Sequence, residues 1–162
     1  MHRKPVIGTL LVALTSGLIF LLAPRDSVAG IEVGETLYTG QSVYENFQFR
    51  RLVRQTLDGD AQALAHLVDF RDGGGEGSYN LGTVLVHILM RVGDAKFARM
   101  AEGLDAGMKV QLDVLLAAGF EHGLPKSINV DEARRMYPLT SDVIEIKRLG
   151  SISAISQLVL QH

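Results

Sequence analysis

The chain contains no cysteine. This absence excludes disulfide cross-links, thiol catalysis and cysteine-based zinc sites, so stability has to come from apolar burial. Charge of one sign is also lacking, since 16 Lys and Arg stand against 18 Asp and Glu for a formal net charge of −2. So weak a field does not attract nucleic acid, and none is expected as a partner. Local catalytic signatures are missing as well. There is no Gly-x-Ser-x-Gly elbow, and no His-x-x-x-His or His-Glu-x-x-His pairing to hold zinc. No long apolar run occurs after residue 23, which excludes a polytopic membrane protein.

What is present begins with Arg3 and Lys4, followed by eighteen uncharged residues, 6–23, and then Pro24 and Arg25. Ser27-Val28-Ala29 places small residues at the two positions a signal peptidase reads. Residues 1–29 therefore read as an export signal cleaved after Ala29. The competing reading is an uncleaved N-terminal anchor, with 6–23 in the membrane as the only lipid contact. Both readings place the remainder outside the cytoplasm, in the periplasm or secreted. Arg3, Lys4, Arg25 and Asp26 would leave with the signal, making the remainder more acidic.

The rest of the 162-residue chain has the length and the 47% hydrophobic content of one globular domain. Residues 30–41, with three glycines and no helical period, are expected to be an extended lead-in. Residues 42–162 are expected to form a single all-α domain, a compact bundle of short helices. Ser42 is a candidate N-cap for a helix ending at Asp58-Gly59, with Phe49, Leu52, Val53 and Leu57 on one face. Asp60 is placed to cap a second helix bearing Leu64, Leu67 and Val68.

Residues 79–92 are the most apolar segment after the export run and are expected at the centre of the core. Leu81, Leu85, Ile88, Leu89 and Val92 share a face that Val84, Val86 and Met90 widen. Phe97, Met100, Ala101 and Leu104 mark a short helix. Another runs from Ala106 to Ala118, with Gly119 as a left-handed stop followed by Phe120. Asn129 with Glu132 resembles a capping box for a helix that Pro138 ends. The tail, 141–162, keeps helical spacing at Leu149, Ile152, Ile155 and Val159, although its β-branched residues also allow a hairpin.

Gly59-Asp60-Ala61 recurs 34 residues later as Gly93-Asp94-Ala95, a separation typical of helical-repeat arrays. A third copy is due near residue 127, where Ser-Ile-Asn-Val-Asp-Glu-Ala lacks the glycine. Neither tetratricopeptide nor ankyrin landmarks can be placed. The echo reads as a glycine that breaks one helix and an aspartate that caps the next, with a degenerate helical-hairpin repeat as the alternative.

Two groups of residues stand out as candidate contact sites. Asn80, Thr83, His87 and Arg91 form a narrow polar stripe on the otherwise apolar central helix. His87 there suits a hydrogen-bonded histidine at a helix contact, or a titrating group. Gly73, Gly74, Gly75, Glu76 and Gly77 form a loop too rich in glycine to hold a helix. It lacks the lysine of a phosphate cradle and carries Glu76, so it reads as a connector or contact loop. Asp58-Gly-Asp60 starts like a calcium loop, but alanines replace the later oxygen ligands. His66 with Asp69 is one turn apart, His122 sits in a loop, and Arg50, Arg51 and Arg54 form a small basic cluster on a solvated face.

No catalytic, cofactor or metal constellation emerges. The sequence therefore points to an exported helical module that binds another protein of the cell envelope or exterior, as an adaptor or inhibitor. Two alternatives are kept: a membrane-tethered accessory subunit, and a hydrolase whose carboxylate and histidine are brought together by folding.

Overall fold

A computed structural model describes residues 27–70 and 75–144. Residues 1–26, on which the expected export signal falls, residues 71–74 with Gly73 and Gly74, and the tail from 145 to 162 lie outside the described residues. Among the described residues a hairpin of two short strands, β1 (Ser27–Val28) and β2 (Ile31–Glu32), precedes eight helices. These are α1 (Glu35–Thr39), α2 (Val43–Asp58), α3 (Ala61–Val68), α4 (Glu76–Val92), α5 (Asp94–Glu102), α6 (Ala106–His122), α7 (Val130–Met136) and α8 (Pro138–Ile144). Among the described residues no helix is long and apolar enough to cross a membrane.

Local chemistry sets several helix starts. The Ser42 hydroxyl accepts from the Glu45 amide at 3.2 Å, and the Glu45 carboxylate accepts from the Ser42 amide at 2.8 Å, a reciprocal capping box that opens α2. Gly59, at φ 107°, closes α2 in the left-handed region that glycine tolerates best. The Asp60 carboxylate then accepts from the Gln62 and Ala63 amides and opens α3. Asn129 accepts from the Glu132 amide at the start of α7.

The most apolar helix takes the centre, as its composition demands. Leu81, Val84, Leu85, Val86, Ile88 and Leu89 are all fully buried. Around α4 lie α1, α2, α5, α6 and β2. Contacts between elements remote in sequence, α1 with α4 and α5 with α8, close the bundle rather than extending it as a row of repeats. Phe49 meets Phe70 at 5.0 Å between α2 and the end of α3, and Phe120 stacks on Tyr137 at 5.7 Å.

Several expectations are corrected. Residues 30–41 are not extended throughout: the hairpin ends at Glu32, and Glu35–Thr39 closes into a helical turn that buries Leu37. The folded unit also includes Ser27 and Val28, ahead of the expected cleavage point. Val28 pairs with Ile31 and is 1% exposed, in contact with the common core. The turn between the strands has Ala29 at φ 50° and Gly30 at φ 73°, the pair of positive values that a two-residue hairpin turn requires.

Helix α4 starts at Glu76, three residues earlier than the glycine content allows on propensity alone. Gly77 is buried there, and Glu76 places a negative charge in the first turn, where the helix dipole favours it. Met90 does not widen the buried face; it is 47% exposed. Helix α6 does not stop at Ala118. It runs through Gly119 to His122, because Gly119 is needed for packing rather than for termination.

At that point α4 and α6 touch through their backbones. A methyl group at Gly82 would collide with the Leu115 carbonyl and sit 3.0 Å from the Gly119 nitrogen. One at Gly119 would collide with the Gly82 carbonyl, and one at Gly123 with the Thr83 hydroxyl.

Candidate functional site

The polar stripe of α4 is spent largely inside the protein. The Arg91 guanidinium donates to the Ala29 carbonyl and, at 3.0 Å, to the Gly30 carbonyl, clamping the strained hairpin turn. Asn80 fills the space left by the missing side chain of Gly34. The Thr83 hydroxyl donates to the Tyr79 carbonyl at 2.9 Å and packs over Gly123. His87 is half-buried, with no hydrogen bond or ion pair among the described residues. Asn80, Thr83 and Arg91 thus seat the N-terminal hairpin and the end of α6, and His87 takes no part in this.

The glycine loop also resolves differently from its expected role. Gly73 and Gly74 lie outside the described residues. Gly75 has φ 53° just ahead of α4, Glu76 opens that helix and Gly77 is buried within it. Only Gly75 and Glu76 of these described residues face solvent.

The two Gly-Asp-Ala echoes diverge in use. Asp60 caps its own helix. Asp94 does not: its carboxylate accepts from the Leu139 amide at 2.9 Å and the Thr140 amide at 2.8 Å, capping α8 instead of α5. The same carboxylate raises the Tyr137 phenol above its ordinary pKa, after burial, which is the larger cause. Other side chains strap helix ends in the same way. Lys96 donates to the Leu57 carbonyl at 3.0 Å, and Gln111 donates to the Val68 carbonyl at 2.8 Å.

An open groove of about 800 Å³ lies along the outer face of α6. Its floor is Val114, Ala117 and Ala118, with Glu121 one turn on, a helical spacing that puts all four on one face. Tyr79 of α4 forms one wall, and Ile128 and Val130 form the other. The Ile128 amide donates to the Phe120 carbonyl at 2.9 Å and holds that second wall against α6.

Val110, 64% exposed, stands one turn before Val114, 48% exposed, and continues the apolar track. The other end is acidic, with Glu121 and Asp131. His122 meets the Tyr79 ring edge-on at 4.9 Å and lies 3.8 Å from Glu121.

His122, expected in a loop, is instead the last residue of α6, and no motif in the sequence marks this groove. The available signal is the spacing of Val110, Val114, Ala117 and Ala118, none of which packs into the core from this otherwise apolar helix. That pattern leaves a second apolar face on α6 beyond the one that packs on α4.

Among the described residues no three of His, Cys, Asp and Glu gather closely enough to hold a metal ion. No protein-family model, curated protein or solved structure matches the chain.

Proposed function

We propose that the protein is an exported binding module that holds a short apolar segment of another protein, bearing a basic side chain, in the groove along α6. The observation that carries this reading is the track of exposed Val110 and Val114 and half-buried Ala117 and Ala118 leading to Glu121 and Asp131. Alanines on the floor let a partner backbone approach closely, and the valines and Tyr79 supply apolar contact. The carboxylates at one end match a lysine or arginine and disfavour an acidic segment.

The test uses two labelled peptides, leucine- and alanine-rich and identical except for a terminal lysine or glutamate. The lysine peptide is expected to bind, and Ala118→Trp, which fills the groove, to abolish binding without lowering the melting temperature. Glu121→Lys is expected to reverse the preference. Equal binding of both peptides, or binding untouched by Ala118→Trp, rejects the reading.

A second reading, a hydrolase, is favoured by one observation. The groove joins His122 to Glu121 and Asp131, with Ser127 also on its lining. Against it, no hydroxyl hydrogen-bonds His122 among the described residues, so no activated nucleophile is assembled. Loss of hydrolysis of a generic ester in His122→Ala, with an unchanged melting temperature, would support this reading.

A further inference from the structure

Helix α2 has two faces of different character. Asn46, Phe49, Val53 and Thr56 are buried. On the other side Tyr44 is 70% exposed and Phe47 64% exposed. Arg51 and Arg54 follow one and two turns after Phe47 and are also exposed. Neither arginine has an ion-pair partner among the described residues. The nearest carboxylate at the start of the helix, Glu45, is engaged with the Ser42 amide. The result is a helix face with two bare aromatic rings at one end and two arginines beyond them.

The position of this face in the chain is as informative as its chemistry. Strand β1 packs against α2. Only residues 24–26 separate β1 from the uncharged run of residues 6–23. Four peptide steps, from 23 to 27, span at most about 14 Å. A bilayer holding 6–23 would therefore keep the start of β1 within that distance of the lipid surface, with α2 packed beside the strand. Aromatic rings partition to the headgroup level of a bilayer, and arginine pairs with lipid phosphate. Basic residues near an anionic surface each add attraction that salt screens.

Resting on the anchor reading of residues 6–23, we propose that Tyr44, Phe47, Arg51 and Arg54 form a docking surface for the anionic lipid bilayer that this anchor would enter. This surface shares no residue with the α6 groove.

The chain has no tryptophan. Phe47→Trp therefore makes a single reporter in the full chain, and Leu139→Trp on α8 makes a control at another exposed position. Each full-length variant is incorporated into vesicles of phosphatidylcholine alone or of phosphatidylcholine with phosphatidylglycerol, with and without acyl-brominated lipid. The Phe47→Trp emission is expected to shift to the blue and to be quenched by the brominated lipid on anionic vesicles. Both effects are expected to shrink on neutral vesicles, in high salt and in the Arg51→Glu/Arg54→Glu background, while Leu139→Trp changes little throughout.

Quenching of Phe47→Trp no stronger than that of Leu139→Trp on anionic vesicles overturns the proposal. So does failure of the full chain to float with those vesicles, or quenching that the double arginine variant leaves intact. A blue shift that is independent of lipid composition and lost on dilution also overturns it, assigning the face to a second copy of the chain. Both arginines are exposed, and circular dichroism of the double variant is expected to show the helices still formed.

Discussion

Gly82 of α4 and Gly119 of α6 meet backbone to backbone, each occupying space that the other's neighbours would deny to a methyl group. This crossing brings the most apolar helix against the helix that carries the groove. It explains why α6 runs past Gly119 and why both positions reject a side chain.

Gly119→Ala and Gly82→Ala are therefore expected to destabilise the fold by about 3 kcal/mol each, since the blocking atoms are main chain and cannot rotate away. Gly103→Ala is the contrast. Gly103 has φ −76°, and the nearest atom, the Met100 carbonyl oxygen, would be 3.9 Å from the added methyl. That substitution is expected to be neutral or to stabilise by about 0.4–1 kcal/mol. Urea denaturation of the three variants checks the opposite signs.

Asp60→Ala and Asp94→Ala are expected to fail in different places. The first removes the cap of α3 and costs about 1 kcal/mol. The second leaves the Leu139 and Thr140 amides without their carboxylate and loosens α8, for about 1–2 kcal/mol. Hydrogen exchange separates them: Asp94→Ala speeds exchange at residues 139 and 140, while Asp60→Ala speeds it at 62 and 63. Faster exchange at the start of α5 alone in Asp94→Ala would contradict the assignment.

The hairpin gives a third expectation. A chain beginning at Gly30 loses Val28 from the core and the Ala29 carbonyl that Arg91 grips. It is expected to be less stable than one beginning at Ser27 by about 2 kcal/mol, chiefly from the lost apolar burial. Ala29 is the one non-glycine residue with positive φ among the described residues. Ala29→Gly is accordingly expected to stabilise the longer chain by about 1 kcal/mol. Thermal melts of the two chains and the variant test both statements.

Tyr137 sets a pH limit. Its phenol has a raised pKa in the folded state, through burial first and Asp94 second. The neutral phenol is therefore favoured by folding. This contribution is complete below the unfolded value, about 10, and is lost as pH climbs through the higher folded value. Stability is expected to fall more steeply above pH 10 in the parent than in Tyr137→Phe. Parallel alkaline limbs in the two melting curves would contradict the assignment.

Helix boundaries set by local chemistry were legible in the sequence. Ser42, Asp60 and Asn129 cap helices where their types and spacing place them, because a capping bond spans only two or three residues. The central place of residues 79–92 followed from an apolar face too wide to leave in water. The site was less legible. The stripe Asn80, Thr83, His87 and Arg91 looked free on a single helix, yet Arg91 is drawn to carbonyls 61 and 62 residues away. The groove was missed because an exposed valine looks like a core valine until the neighbouring helices are in place.

The residues alone determined a mostly helical body with an apolar middle, since periodicity and capping act within a turn or two of chain. Only tertiary structure decided that Gly119 would be a crossing point instead of a stop. The same holds for Asp94 serving α8 rather than α5, and for Tyr79 and Ile128 standing as opposite walls over the alanines of α6. Each of these depends on which backbone atoms lie bare on a neighbouring element, and that is set by packing between segments tens of residues apart.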